Sequence, residues 1–346
     1  MGQLRPMGQR NGWERPVLCM AFGVLPFVVL SCCPQAPVEP PPASATPATG
    51  HSVAEGPKVP TGYAIERYAS GPDDAKLPVA LAFSPKGFFG RDSELYVAFA
   101  QNGAGTLLPK TYRVPSKGTT VLFGKASDQL SMEFPARQSA FGGYLYATSY
   151  RAGGVVRFDG DGIESLFAKV DGWGVYGARF GPGGRWGTDF YAMEQNGTIQ
   201  RFDPNGRRTY LTKGLPANNK GFDFGPGGDW GDCIYVPSGG RIDRVDSNGV
   251  ITDFLSGSTS LGSTYLVSLA FDRHGDFGGD MFVSSLDNNI YRVRADGKVT
   301  VFASEFNFGS GNTSTGDILF GPDGSMYVAD GMNNAVWRIY AIRRNQ

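Results

Sequence analysis

Between Ala178 and Thr212 apolar and polar positions alternate in four short runs, each ended by a turn. Arg179-Phe180 leads into a Gly/Pro turn, and Asp189 to Met193 is a second run. Thr198 to Phe202 is a third after Gln195-Asn196-Gly197, and Thr209 to Thr212 a fourth after Asn205-Gly206. A period of two marks strands. Asn-Gly between apolar runs marks a hairpin, because both residues tolerate the positive φ that a tight turn needs. The stretch therefore predicts a four-stranded antiparallel meander.

The pattern recurs from Phe222 to Leu255 and from Leu269 to Ala303. One aromatic of the second strand registers all the copies: Tyr96, Tyr146, Tyr191, Tyr235, Phe282 and Tyr327, spaced 50, 45, 44, 47 and 45 residues apart. Six four-stranded units at this period predict an all-β fold, a six-bladed β-propeller of antiparallel blades. The chain ends decide against a solenoid. After Tyr327 only one more strand follows, Ala335 to Ala341, while a spare strand, Tyr63 to Ala69, precedes the first unit. The expectation is that this N-terminal strand completes the last blade and closes the ring, leaving no free sheet edge at the seam.

Composition agrees: of 346 residues 50 are Gly and 13% are aromatic, which suits many tight turns between short buried strands. Formal net charge is zero, and without the first 31 residues 29 basic side chains stand against 31 acidic ones. A nucleic-acid binder shows a basic excess, so that class of partner is excluded.

The N-terminus reads as a targeting segment. Arg5, Arg10 and Arg15 precede a largely apolar run from Pro16 to Leu30, then Ser31-Cys32-Cys33. That order is a positive n-region, an h-region of about 15 residues and a small residue at the cut site. Val29-Leu30-Ser31-Cys32 resembles the lipobox of bacterial lipoproteins, and the resemblance implies that Cys32 is acylated; Leu30 departs from the commoner small residue there. An ordinary cleaved signal or an uncleaved anchor remains the alternative. Residues 32–60, rich in Pro, Ala, Ser and Thr, predict an extended tether, leaving 61–346 as the propeller. Expected localisation is the bacterial cell envelope, with the membrane touched through the lipid alone, or secretion. A closed propeller needs no partner for its core, so a monomer is expected.

Three recurrent features bear on chemistry. An aromatic-Gly pair sits in the turn between strands one and two at Phe141, Trp186, Trp230 and Phe277, with Phe89 a shifted copy, either plugging the gap between blades or forming an exposed ring for sugars or a partner protein. An arginine stands in every third strand (Arg113, Arg157, Arg201, Arg244, Arg292, Arg338), with Asp159, Asp203 and Asp246 as candidate partners. Asp189, Asp232 and Asp280 open second strands beside Gly-rich turns; they offer hard oxygen ligands to a divalent ion such as calcium, although no twelve-residue ligand loop occurs. Cys233, the single domain thiol, reads as a small hydrophobe.

A ligand is expected at the channel mouth formed by loops leading into the first strands and out of the second. Arg151, Trp173, Tyr176, Lys220, Tyr265, Asp287 and Asp330 line it as binding candidates, with Glu194 and Asp317 the acid/base candidates. The one domain histidine, His274, falls in a turn at the opposite face.

Repeats such as Ile318 to Tyr340 and Leu269 to Val293 resemble those of a six-bladed superfamily. It includes NHL-repeat proteins, gluconolactonase and senescence-marker lactonases, streptogramin B lyases and quinoprotein dehydrogenases. The resemblance covers about residues 61 to 346 and rests on scaffold positions. The lactonases it names hold a divalent metal through a Glu, an Asn and an Asp before inner strands. Registered on the first-strand Phe, those positions hold Val79, Tyr176, Lys220, Val267 and Gly316, with Asn219 and Asp317 one residue away. Two readings stand. The first is a non-catalytic propeller binding a small molecule, glycan or envelope protein. The second is a metal-dependent hydrolase of the gluconolactonase type, using Asn219 and Asp317 for the metal.

Overall fold

The computed structural model describes residues 56–342 except 102–103, 107–108, 126–128, 151, 173, 218, 257–260, 262–264 and 310–314. Cys32, the signal segment, most of the tether, Arg151 and Trp173 lie outside the described residues. Strands form six four-stranded antiparallel sheets arranged as propeller blades: residues 76–125, 129–169, 175–212, 223–255, 266–303, and 318–341 together with Tyr63–Ser70. In the sixth sheet Tyr63–Ser70 pairs antiparallel with Ala335–Ala341, with Tyr63 opposite Ala341 and Ile65 opposite Ile339. Lys58, counted above with the tether, exchanges two backbone hydrogen bonds with Ser304 of 2.9 and 3.0 Å, so ordered chain begins before residue 61.

The spacing of the aromatics has one cause. Each registering aromatic packs edge-on against the first-strand Phe of the following blade: Tyr96 on Phe134, Tyr146 on Phe180, Tyr191 on Phe224, Tyr235 on Phe271, Phe282 on Phe320, and Tyr327 on Phe83. Centroid separations run from 4.8 Å to 5.8 Å. Such T-shaped pairs add about 0.5–1.5 kcal/mol beyond their burial, and this one recurs at every blade junction.

The turn aromatics reinforce the joints. Phe141, Trp186, Trp230 and Phe277 are buried and sit 4.9, 5.1, 4.9 and 5.3 Å from the Phe of the next blade. The hydroxyl of the registering Tyr donates back to the turn aromatic's carbonyl, Tyr146 to Phe141 at 2.8 Å and Tyr191 to Trp186 at 2.7 Å. Trp186 and Trp230 also donate their ring N–H groups across to Asp232 and the Gly279 carbonyl. These rings plug the gaps between blades, the first of the two readings of their sequence pattern, and they are not exposed.

Arg113, Arg201, Arg292 and Arg338 of the third strands form ion pairs, but not with Asp159, Asp203 or Asp246. Each of those carboxylates accepts two backbone N–H bonds of its own turn, as a short acidic side chain in a turn does. Five of the six arginines turn instead to the residue two before the registering aromatic, which the pleat places on the same face; in the fourth blade that residue is Cys233. Arg113 meets Glu94 at 3.1 Å, Arg201 meets Asp189 at 2.6 Å and Arg292 meets Asp280 at 2.5 Å. Arg157 lies over the Tyr144 ring at 4.4 Å, and Arg338 donates to Ser325 at 3.1 Å. The Asp residues offered above as calcium ligands, Asp189 and Asp280, are therefore ion-pair partners, and Asp232 is held by Arg185 at 2.7 Å.

Candidate functional site

Six inner strands converge on the channel, and an inner strand has a free edge whose N–H and C=O groups need partners. Side chains of the preceding blade supply several. Ser131 of blade two accepts from the Ala178 N–H of blade three at 3.2 Å. Asp317, leading into the inner strand of blade six, accepts from the Leu81 N–H of blade one at 2.9 Å and from the Ser268 hydroxyl at 3.0 Å. Glu133 accepts from the Phe180 N–H, and Asp223 from the Phe271 N–H at 3.2 Å.

Glu133, Arg179 and Asp223 occupy the same register, each one residue before the first-strand Phe of its blade. Blade five adds Arg273, whose guanidinium holds Asp223 through two bonds of 2.9 Å and reaches the Phe224 carbonyl at 2.6 Å. Around the channel the signs alternate: Glu133, Arg179, Asp223, Arg273, Asp317. Burial pushes the Glu133 carboxyl up to about 7, against the opposing pull of Arg179. Burial likewise raises Asp317, again opposed by Arg179. Burial also acts upward on Asp223, but Arg273 overrides it and holds that carboxyl below its usual range.

Arg179 is the hub of this ring and has few bonds of its own. Among the described residues its guanidinium donates to its neighbour's carbonyl, Ala178, at 2.8 Å, while Glu133, Asp223 and Asp317 act on it through their fields. It opens, with Glu133, into a cavity of about 360 Å³ at the turn face of the channel. Leu81, Phe83, Met132, Phe134, Leu319 and Phe320 supply its apolar wall, and Lys86 and His274 stand in the lining beside them. The cavity exists where the blade pattern is broken. Blade six has the shortest turn, Gly321-Pro322-Asp323-Gly324, which carries no aromatic plug, and Gly321 and Pro322 line the space instead. A Cβ on Gly321 would sit 2.6 Å from the Tyr327 ring and 2.9 Å from Phe83, so the glycine permits the close approach at this seam.

A second hollow, of about 670 Å³, lies between blades four and five. Four of its charged side chains pair with each other, Arg292 with Asp280 and Arg294 with Asp296 at 3.6 Å, and Asp229 and Lys298 stand in the lining beside them.

The mouth residues singled out from the sequence are dispersed among local duties. Asp330 is fully buried and accepts from the Asn307 N–H, Asn333 and Trp337, at 2.8, 2.8 and 2.9 Å. Asp287 accepts from the Tyr291 hydroxyl and the Asn289 N–H in its own hairpin. Glu194 is buried, accepts from Asn196 at 3.1 Å, and has its carboxyl raised by burial. Tyr176, Lys220 and Tyr265 are half-buried near the starts of three inner strands; burial lowers the Lys220 amine to about 8 and raises the Tyr265 phenol.

The lactonase-type metal does not fit the donors. Asn219 turns its amide to the Pro216 carbonyl at 2.7 Å, while both Asp317 oxygens serve Leu81 and Ser268. Among the described residues no three His, Cys, Asp or Glu side chains are gathered to hold an ion. The Glu133, Arg179 and Asp223 set escaped the sequence reading although a signal was present. Ser-Met-Glu-Phe, Gly-Ala-Arg-Phe and Gly-Phe-Asp-Phe place a charge where the other blades have Ala82, Ala270 and Leu319.

No family model matches the sequence, and the search of curated proteins finds no match. Solved structures do match. A gluconolactonase from Xanthomonas campestris superposes with TM-score 0.60 at 12% identity, over 83% of this chain and 95% of its own. A catalytically inactive virginiamycin B lyase from Staphylococcus aureus, solved with quinupristin, gives 0.53 at 13% identity, over 81% and 100%. An auxiliary nutrient binding protein from Bacteroides thetaiotaomicron gives 0.59 at 14% identity, over 80% and 76%. The fold is that of the six-bladed propellers. At these identities the likeness is one of architecture, shared by enzymes and binders alike.

Proposed function

We propose that the chain is a non-catalytic, small-molecule-binding propeller of the bacterial cell envelope. The observation that carries this reading is the open cavity of about 360 Å³ at the channel end, walled largely by apolar rings and presenting, among the described residues, one guanidinium, Arg179, which donates to the Ala178 carbonyl. A concave, mostly apolar site with a few converging polar groups is the usual form of a ligand pocket. The likeness in fold to nutrient binding proteins is compatible with it. Envelope placement rests on the N-terminal residues, with Cys32 as the lipid-bearing position and a monomeric propeller on the tether. Glycans and envelope proteins remain within the same class of partner, though the buried turn aromatics do not offer them a stacking surface.

The hydrolase reading has the weaker support, since Glu194, Asn219 and Asp317 are each bonded separately. Thermal-shift screening of the full chain against small metabolites, with recovery of the ligand, tests the binder. Ligand returned unchanged and no turnover of sugar lactones is the expected result. Lactone hydrolysis that needs a divalent ion and is lost in Asp317→Asn would replace binding with catalysis.

A further inference from the structure

The turn-face cavity differs from the rest of the channel in its charge. Of the alternating ring only Glu133 and Arg179 line it, joined by Lys86 and His274. Asp223 is satisfied by Arg273, and Asp317 by Leu81 and Ser268, so neither competes with a ligand for Arg179 by direct contact. With Glu133 protonated, the permanent charges of the wall are the cations of Arg179 and Lys86. The remaining surface is Phe83, Phe134 and Phe320 with aliphatic neighbours and two serines whose hydroxyls are engaged locally, Ser93 donating to the Ser84 carbonyl at 2.6 Å and Ser84 accepting from the Glu94 N–H at 3.0 Å.

We propose that this cavity binds a small organic carboxylate, its acid group paired with Arg179 and its apolar body against Phe83, Phe134 and Phe320. This deepens the binding function above and rests on it. A planar guanidinium with unused donors matches a carboxylate edge to edge. Aromatic walls take the hydrocarbon part, where a polyhydroxylated ligand would leave its hydroxyl groups without partners.

Glu133 makes the binding depend on protons. Facing it are Arg179 from blade three, Asp223 from blade four, Arg273 from blade five, and the cavity residues Lys86 and His274. A ligand carboxylate on Arg179 removes part of the positive field that favours ionised Glu133 and adds a negative charge beside it. Binding therefore selects the protonated acid. With Glu133 titrating near 7, affinity falls about tenfold from pH 6 to pH 8, with one proton taken up per ligand at the upper end.

Isothermal titration of the full chain with benzoate and butyrate at pH 6, 7 and 8, in two buffers of different ionisation enthalpy, reads affinity and proton uptake together. Benzamide and glucose serve as neutral probes. One-site benzoate binding is expected, weakened about tenfold at pH 8, and weakened at least tenfold in Arg179→Met but less in Arg179→Lys. Glu133→Gln should bind at pH 8 as tightly as the natural chain does at pH 6. If Arg179→Met does not fold, Arg179→Lys together with the Glu133→Gln pH profile carries the test. Benzamide binding as tightly as benzoate, affinity independent of pH, or no carboxylate binding overturns the inference. Glucose binding without benzoate binding overturns the carboxylate while leaving the binding function intact. Metal-dependent lactone turnover is the separate result that removes that function.

Discussion

Arg273 of blade five grips Asp223 of blade four through both terminal nitrogens, each 2.9 Å from a separate carboxylate oxygen. Asp223 is buried and also caps the Phe271 N–H, so the pair ties two neighbouring inner strands together. Removing the cation leaves a buried carboxylate without its counter-charge. Arg273→Met is expected to cost about 2–3 kcal/mol at pH 7, less than a wholly buried pair because the arginine is partly open to the channel. Asp223 has its folded value below the unfolded one, so its contribution is present above the unfolded value and is lost as pH falls through the folded one. Urea unfolding should show the variant's deficit shrinking toward pH 3; a deficit unchanged with pH would assign it to packing.

Glu133 runs the other way. Its folded value is raised to about 7 from 4.5, so the folded chain keeps the proton where the unfolded chain has lost it. Stability therefore declines as pH rises from about 4.5 to about 7, by at most ~3 kcal/mol, and the cost is complete above that range. Glu133→Gln keeps an acceptor for the Phe180 N–H and removes the titration. Its unfolding free energy should lack this decline, which denaturant melts at half-unit pH steps would reveal.

Cys233 stands where blades one, three and five have Glu94, Asp189 and Asp280 opposite an arginine. The thiol leaves Arg244 without a carboxylate, and among the described residues its buried Nε has no hydrogen-bond partner. Cys233→Asp installs the missing anion and is expected to stabilise by about 0.5–1 kcal/mol, visible as a rise of roughly 1–3 °C in the melting midpoint. A lower midpoint would mean that desolvating the carboxylate outweighs its attraction to Arg244.

The hydroxyl of Tyr191 satisfies the Trp186 carbonyl beneath a blade joint. Tyr191→Phe preserves the ring packing, as Phe282 does naturally in blade five, and leaves the carbonyl bare. A loss of about 1–2 kcal/mol is expected, with Tyr146→Phe alike because its bond to Phe141 is equivalent. Calorimetry of the two single variants and the double variant should give additive losses, since the tyrosines belong to different joints.

The sequence alone determined the scaffold. Period-two runs, Asn-Gly turns and an aromatic every 44 to 50 residues are local signals repeated six times, so an error in one blade is outvoted by the others. The same repetition located the arginines but offered Asp159, Asp203 and Asp246, which follow them closely in the chain, as candidate partners alongside their turn role, and it is the turn role they serve. In the folded sheet the partner is diagonal, on the adjacent strand, and only strand register brings Asp189 to Arg201 or Asp280 to Arg292. The candidate site was legible in part: a charge before Phe134, Phe180 and Phe224 marks three inner strands. What the sequence did not decide is where those charges meet. Glu133, Arg179, Asp223, Arg273 and Asp317 come from five different blades, and their field is set by distances across a channel that no stretch of chain spans. Tertiary structure also decided which of them are used up. Arg273 satisfies Asp223, Ser268 and Leu81 satisfy Asp317, and Arg179 bonds only to the Ala178 carbonyl among the described residues.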